Sequence, residues 1–152
     1  GLGAQLGGFS HGYGTRLPFR LLQFTGRTPE SISAALRARR IEGLDFPVIP
    51  FEVKGQPRRA TYVRVSDWHR LKPTALSLHM MALACAWHEG NPFAAAPEAQ
   101  RTLFNKHVGD GRVLDFLIRN GENLPLESLL ADWAGYCRRF REESRAWQLY
   151  GV

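Results

Sequence analysis

A chain of 152 residues, 44% hydrophobic and 22% charged, has the length and composition of one folded domain with a substantial buried core. No apolar run approaches the ~20 residues a helix needs to cross a bilayer, so no membrane partner is expected. The formal charge of +6 favours anionic partners, yet the basic residues are dispersed, with small clusters only at Arg37–Arg40, Arg58–Arg59 and Arg138–Arg141, which reads as a basic solvated surface.

The first ten residues, "GLGAQLGGFS", lack the basic and apolar regions of a signal peptide. Beginning on Gly, they read as a cut or processed edge, and so as part of a longer protein. "SHGYGTRLPF" follows, a glycine-flanked tyrosine crowded by His11 and Thr15. Either it is a turn that starts a strand, needing positive φ at its glycines, or a loop that lets backbone approach a ligand. The next run, "RLPFRLLQFTG", predicts a strand with Pro18 near its start. "TPESISAALRARR" predicts a helix with Thr28 as N-cap, Pro29 in the first helical position and a modest stripe of Ile32, Ala35 and Leu36.

"LDFPVIPFEV" predicts a strand that Pro47 and Pro50 place at an edge or a bend, pairing across "KGQPRR" with the alternating "ATYVRVSD". The character then changes to helix. Thr74 to His88 carries Leu76, Met80, Leu83 and Trp87 at helical spacing, with Gly90 expected as the residue just past the end. A short segment, "PEAQRTLFNKHVG", leads into a helix begun by Asp110 and stopped by Gly121. The last helix runs from Leu126 to about Tyr150. Its Leu126, Leu129, Leu130, Trp133, Cys137 and Phe140 recur at three- and four-residue steps and predict one broad buried face. The expected class is α+β, a small mixed sheet of N-terminal strands followed by packed C-terminal helices.

Catalytic constellations are missing. A glycosidase typically flanks its bond with two carboxylates, and the sequence sets no two acids beside the opening loop. Glu52 and Asp67 are the best remaining candidates, with a structural role the simpler reading for both. His11, His69, His79, His88 and His107 show no ligand spacing, so no metal and no cofactor are expected. "GGFSHGYG" precedes a strand rather than opening a helix, which excludes a dinucleotide fingerprint. No nucleic-acid-binding signature accompanies the charge. Cys85 and Cys137 both sit in apolar helical patterns and read as small buried hydrophobes.

The order of motifs nevertheless resembles the C-terminal domain of the exo-β-N-acetylmuramidases, bacterial glycoside hydrolases. Gly12 to Phe19 corresponds to the family's "GRGTTRPF" segment, with Tyr13 and Leu17 where the family carries arginines. "YVRVSDWHRLKP", "LFNKHVGDGRVLDFLIRNGENL" and "LLADWAGYCRRFREESRAWQLY" follow in the family's order, so the likeness covers the chain from about residue 10. The resemblance implies that residues 1–152 form a single domain, the C-terminal half of a two-domain protein whose Rossmann-like N-terminal half supplies the catalytic carboxylate from a Glu-His-Gly signature. It implies a substrate cleft between the domains, and removal of terminal N-acetylmuramic acid from peptidoglycan in the periplasm or outside the cell. This chain alone would be inactive. His11, Gly12, Tyr13, Gly14, Thr15 and Arg16 become the expected sugar-binding residues, none of them catalytic. The alternative is a stand-alone carbohydrate- or protein-binding module with the same fold and no catalysis.

Overall fold

The structure is a computed structural model and describes residues 6–148. The chain opens with a short strand, β1 (Phe9–Ser10), and returns as β2 (Leu21–Phe24). These pair antiparallel, Phe9 opposite Phe24. The predicted strand over "RLPFRLLQFTG" therefore shrinks to four residues, and residues 11–20 are turns. The physical reason lies in the backbone. Pro18 offers no N–H to a ladder, and Gly12, Gly14 and even Phe19 adopt positive φ, incompatible with a strand.

Helix α1 (Pro29–Ala38) starts as the sequence dictates: the Thr28 hydroxyl accepts from the Ser31 amide at 3.2 Å. Its buried residues are Ile32, Ser33 and Leu36. Two hydroxyls tie it to the strands, Thr61 donating to the Pro29 carbonyl at 2.7 Å and Ser33 to the Phe46 carbonyl.

The predicted hairpin forms, but both arms break. One arm splits into β3 (Leu44–Asp45) and β4 (Val48–Val53), the other into β5 (Gln56–Tyr62) and β6 (Arg64–Val65). The breaks coincide at Pro47 and Val63, where the Tyr62 amide donates to the Pro47 carbonyl and the Val63 amide turns away to the Arg20 carbonyl, each at 2.8 Å. β4 is the edge of the sheet, order β1-β2-β5-β4, which suits its exposed Pro50; β3 and β6 pair separately. Every pairing is antiparallel, so the expected mixed sheet is an antiparallel one. The connection is far shorter than "KGQPRR". Val53 faces Gln56 in register, leaving Lys54 and Gly55 as a two-residue turn with φ of 50° and 75°. Positive φ at both positions is the type I′ turn that matches strand twist. Gln56 to Arg59 looked like a loop because the outer end of the hairpin is exposed and no burial enforces alternation there.

Helix α2 (Pro73–Trp87) is apolar around most of its circumference, and it separates two cores. Met80, Leu83 and Ala84 pack with the sheet and α1, around Leu22, Leu36 and Phe46. Leu78, Met81 and Ala82 pack against the later helices, around Phe93, Phe104 and Leu117. His88 caps α2 in an extended conformation, and the expected glycine, Gly90, takes its positive φ two residues further on. The unassigned segment folds as α3 (Glu98–Val108), closed by left-handed Gly109. α4 (Gly111–Asn120) begins on Asp110, whose carboxylate accepts from the Arg112 amide, and is closed by Gly121. Asn91, which sequence patterning passes over, clamps this half. Its amide nitrogen donates to the Leu117 carbonyl at 2.7 Å, and its oxygen accepts from the Phe93 amide at 3.0 Å.

Helix α5 (Leu126–Ser144) runs into a short turn, Arg145–Trp147; Leu149 and Tyr150, included in the expected helix, lie outside the described residues. The expectation of a buried face along its whole length fails. Leu129 is buried, Leu126, Leu130 and Trp133 are half-buried, and Cys137 and Phe140 are exposed. Nothing described in the chain covers the outer half of the helix. The same fact corrects the reading of Cys137; Cys85 is half-buried, and the two thiols are free. The α+β class holds.

Candidate functional site

The opening loop keeps its shape through short-range bonds. The Thr15 hydroxyl donates to the Gly12 carbonyl at 2.7 Å and accepts from the Leu17 amide at 3.1 Å. The Thr15 amide donates to the same carbonyl, closing the turn. Two glycines in this turn answer to different causes. A Cβ on Gly12 would sit 2.8 Å from the Leu17 oxygen and 2.9 Å from the Leu21 Cβ, so Gly12 is demanded by packing. Gly14, at φ +80°, has nothing within 4 Å, so its backbone stands open to solvent.

Across from this loop stands the tip of the β4–β5 hairpin. Between them lies an open cavity of ≈ 610 Å³, lined by Thr15, Arg16, Leu17 and Leu21 on one side and by Pro50, Phe51, Glu52, Lys54 and Gly55 on the other. Of the six residues expected from sequence, Thr15 and Arg16 line it. His11, Gly12, Tyr13 and Gly14 are not among its lining residues. His11 stacks on Phe19 with ring centroids 4.8 Å apart and planes at 17°, and its buried Nδ1 has no hydrogen-bond partner among the described residues. Tyr13 is 82% exposed and meets the His11 ring edge-on. Phe19 holds a left-handed backbone, φ 62°, while 61% exposed. Such strain in a bulky residue persists only where its surroundings impose it.

The cavity is electrostatically unbalanced toward the positive. Among the described residues, no ion pair involves Arg16, Lys54 or Glu52. Two cations and one carboxylate therefore face a partly apolar space whose walls are Leu17, Leu21, Pro50 and Phe51. Glu52, a candidate from sequence, is in the cavity lining. Asp67 is not. Its carboxylate accepts from the His69 amide at 2.9 Å and the Arg70 amide at 3.3 Å, capping a turn as its simpler reading held. Sequence reasoning missed Phe51 and Lys54 because they come to Arg16 only through the register of the hairpin. The Lys-Gly dipeptide was the available signal, since a two-residue turn there places both residues at a tip.

Among the described residues no group of three His, Cys, Asp or Glu side chains is arranged to hold a metal ion. One carboxylate in a cavity does not make the pair that glycoside hydrolysis ordinarily uses. The arrangement is suited to holding an anion with an apolar body.

Comparison with known proteins agrees with the motif order. The family model described as exo-β-N-acetylmuramidase NamZ, C-terminal, matches residues 4–150. A crystal structure of a DUF1343 family protein from Bacteroides fragilis superposes with a TM-score of 0.78 at 17% sequence identity, which is a likeness of fold. The match covers 99% of this chain and 40% of that one. No curated protein matches. With its family model matched over nearly its whole length, the chain belongs to the C-terminal domain family of the exo-β-N-acetylmuramidase NamZ, a domain associated with glycoside hydrolases.

Proposed function

We propose that this domain is the substrate-holding half of a peptidoglycan-directed exo-β-N-acetylmuramidase, joined in the parent protein to an N-terminal domain that supplies the catalytic carboxylate. The observation that carries the reading is the cavity that Arg16 and Lys54 line together, neither of them in an ion pair among the described residues. A muramic acid differs from other amino sugars by its lactyl carboxylate. Arg16 pairs with that carboxylate through charge-assisted hydrogen bonds, Lys54 adds a second cation, and Phe51 and Leu17 meet the sugar's apolar face. Tyr13 and His11, at the loop's outer side, reach sugar units beyond the first. Thr15, whose hydroxyl is engaged within the loop, acts as a positioning residue for Arg16. The same reading places the protein in the periplasm or outside the cell.

The test uses the parent protein. Its sequence should carry a Rossmann-like half with a Glu-His-Gly signature before Gly1, and it should release the sugar from a chromogenic N-acetylmuramide. Arg16→Ala should raise KM about tenfold or more, as loss of one charge-assisted hydrogen bond requires, with a smaller effect on an N-acetylglucosaminide. A parent that starts at this domain, or an Arg16→Ala protein with unchanged KM, defeats the reading. A stand-alone binding module is the second reading, favoured by Tyr13 and Leu17 where the family carries arginines. It predicts that the 152-residue chain alone binds N-acetylmuramic acid measurably by calorimetry.

A further inference from the structure

The two faces of the main sheet are used differently. Thr61 and Arg59 of β5 turn toward α1, Thr61 donating to the Pro29 carbonyl at 2.7 Å and Arg59 pairing with Glu30 at 2.7 Å. Side chains alternate along a strand, so Arg58, Ala60 and Tyr62 turn the other way. Register carries this second face onto the neighbouring strands, with Phe51 of β4 opposite Arg58 and Leu21 of β2 opposite Tyr62. The glycine loop lies over the same face, since a Cβ on Gly12 would come within 2.9 Å of the Leu21 side chain. Leu21 and Phe51 both line the cavity. Arg58 is not itself a lining residue, but its place beside Phe51 sets it at the cavity's rim.

The cations nearest Arg58 in the fold are committed. Arg59 has Glu30, and Arg20 lies 4.7 Å over the Tyr62 ring while its Nε donates to the Val63 carbonyl at 3.3 Å. Arg58 is exposed and has no ion pair among the described residues. Its charge is also surplus to the ligand already assigned to the cavity. Arg16 and Lys54 against Glu52 leave one positive charge, which a single lactyl carboxylate balances; Arg58 adds another.

We infer that Arg58 is a specificity-determining residue for a second anionic group, so that the preferred ligand is a muramic acid carrying two such groups, an inference resting on the functional reading above. Directly opposite residues of an antiparallel pair hold their Cβ atoms about 4.5–5.5 Å apart, so a sugar seated on Phe51 lies within reach of the Arg58 guanidinium. That planar fork accepts phosphate and carboxylate alike. The second group has two chemical sources, a phosphate ester on a sugar hydroxyl or the carboxylates of a peptide amide-linked at the lactyl group.

Calorimetry on the parent protein separates these sources with three sugars that contain no scissile bond. N-acetylmuramic acid carries one anionic group; its 6-phosphate and N-acetylmuramoyl-L-alanyl-D-glutamate carry two each. At least one of the latter should bind about tenfold more tightly than N-acetylmuramic acid, as one added charge-assisted hydrogen bond requires, and the one that gains identifies the source. Arg58→Gln should return that sugar to the affinity of N-acetylmuramic acid and leave N-acetylmuramic acid itself unchanged, while Arg58→Lys should keep part of the preference. Both substitutions are at an exposed position and should leave the melting temperature where it is. Equal binding of all three sugars by the unaltered protein overturns the inference, as does an Arg58→Gln protein that keeps the preference or weakens all three alike. In each of these outcomes N-acetylmuramic acid still binds, so the functional reading survives; a protein that binds none of the three loses both.

Discussion

Helices α2 and α5 are both rich in apolar residues, and they end in opposite situations. α2 is apolar around most of its circumference and the chain uses nearly all of it, the sheet core taking Met80, Leu83 and Ala84 and the helical core taking Leu78, Met81 and Ala82. α5 has a proper amphipathic stripe, yet the described residues bury only its first half. The difference teaches that periodicity identifies a face wanting burial and says nothing of which polypeptide buries it. A helix apolar all round is internal by its own composition. A one-sided helix is satisfied equally by its own domain or by another.

The comparison makes graded predictions. Leu78→Ala, deep between the two cores at 1% exposure, should destabilise the 152-residue chain by about 2–5 kcal/mol in chemical denaturation. Next comes Asp110, where the inner half of α5 is fastened. Bonds to Arg112 and to the Trp133 indole hold its carboxyl well below the usual carboxylate range. A carboxyl with a depressed folded-state pKa stabilises fully above its unfolded value near ~4 and loses that contribution as the pH falls through the folded value. Asp110→Asn, which keeps a capping side chain, should therefore cost about 1–2 kcal/mol at pH 7. The gap to the parent chain should shrink as the pH is lowered below about 4; a gap independent of pH would show that the ionised form is not what fastens α5.

The hairpin tip extends the contrast to the cavity, where the type I′ turn imposes on Lys54 a conformation that its own residue type disfavours. Its φ of 50° is costly for a lysine and well tolerated by asparagine. Lys54→Asn should raise stability by about 0.5–1 kcal/mol while weakening retention of an anionic sugar, and a loss of stability would mean that the turn is held by a lysine contact. The smallest effect belongs to the outer end of α5. Phe140→Ala should change stability of the 152-residue chain by no more than about 0.5 kcal/mol, since it removes no buried contact. A cost like that of Leu78→Ala would collapse the distinction between the two helices.

Local chemistry was legible wherever a few neighbouring residues settle the outcome. Thr28 and Pro29 start α1, Asp110 starts α4, Gly121 stops it, and the prolines mark an edge strand. These are short-range matters of hydrogen-bond donors and permitted φ. Errors arose where burial or register decides. Residues 16–20 looked like strand because they are partly apolar, yet positive φ at Phe19 and the turn closed by Thr15 prevent it. "KGQPRR" looked like loop because the hairpin's outer end is exposed. Of the site, the glycine loop and Arg16 were visible. Phe51 and Lys54, more than thirty residues away, were not.

By itself, then, the sequence determined the α+β class, the helix caps, and, through its motif order, membership in a family of glycoside-hydrolase C-terminal domains. Tertiary structure alone decided that Arg16 faces Lys54 and Glu52 across one cavity, that Gly12 is required by packing while Gly14 lies open, and that the stripe of α5 outlasts the core. The reason is one of range. Caps and turns are fixed within about four residues by steric and hydrogen-bonding rules, whereas a cavity or an uncovered face depends on which distant surfaces the folded chain brings together and which it leaves apart.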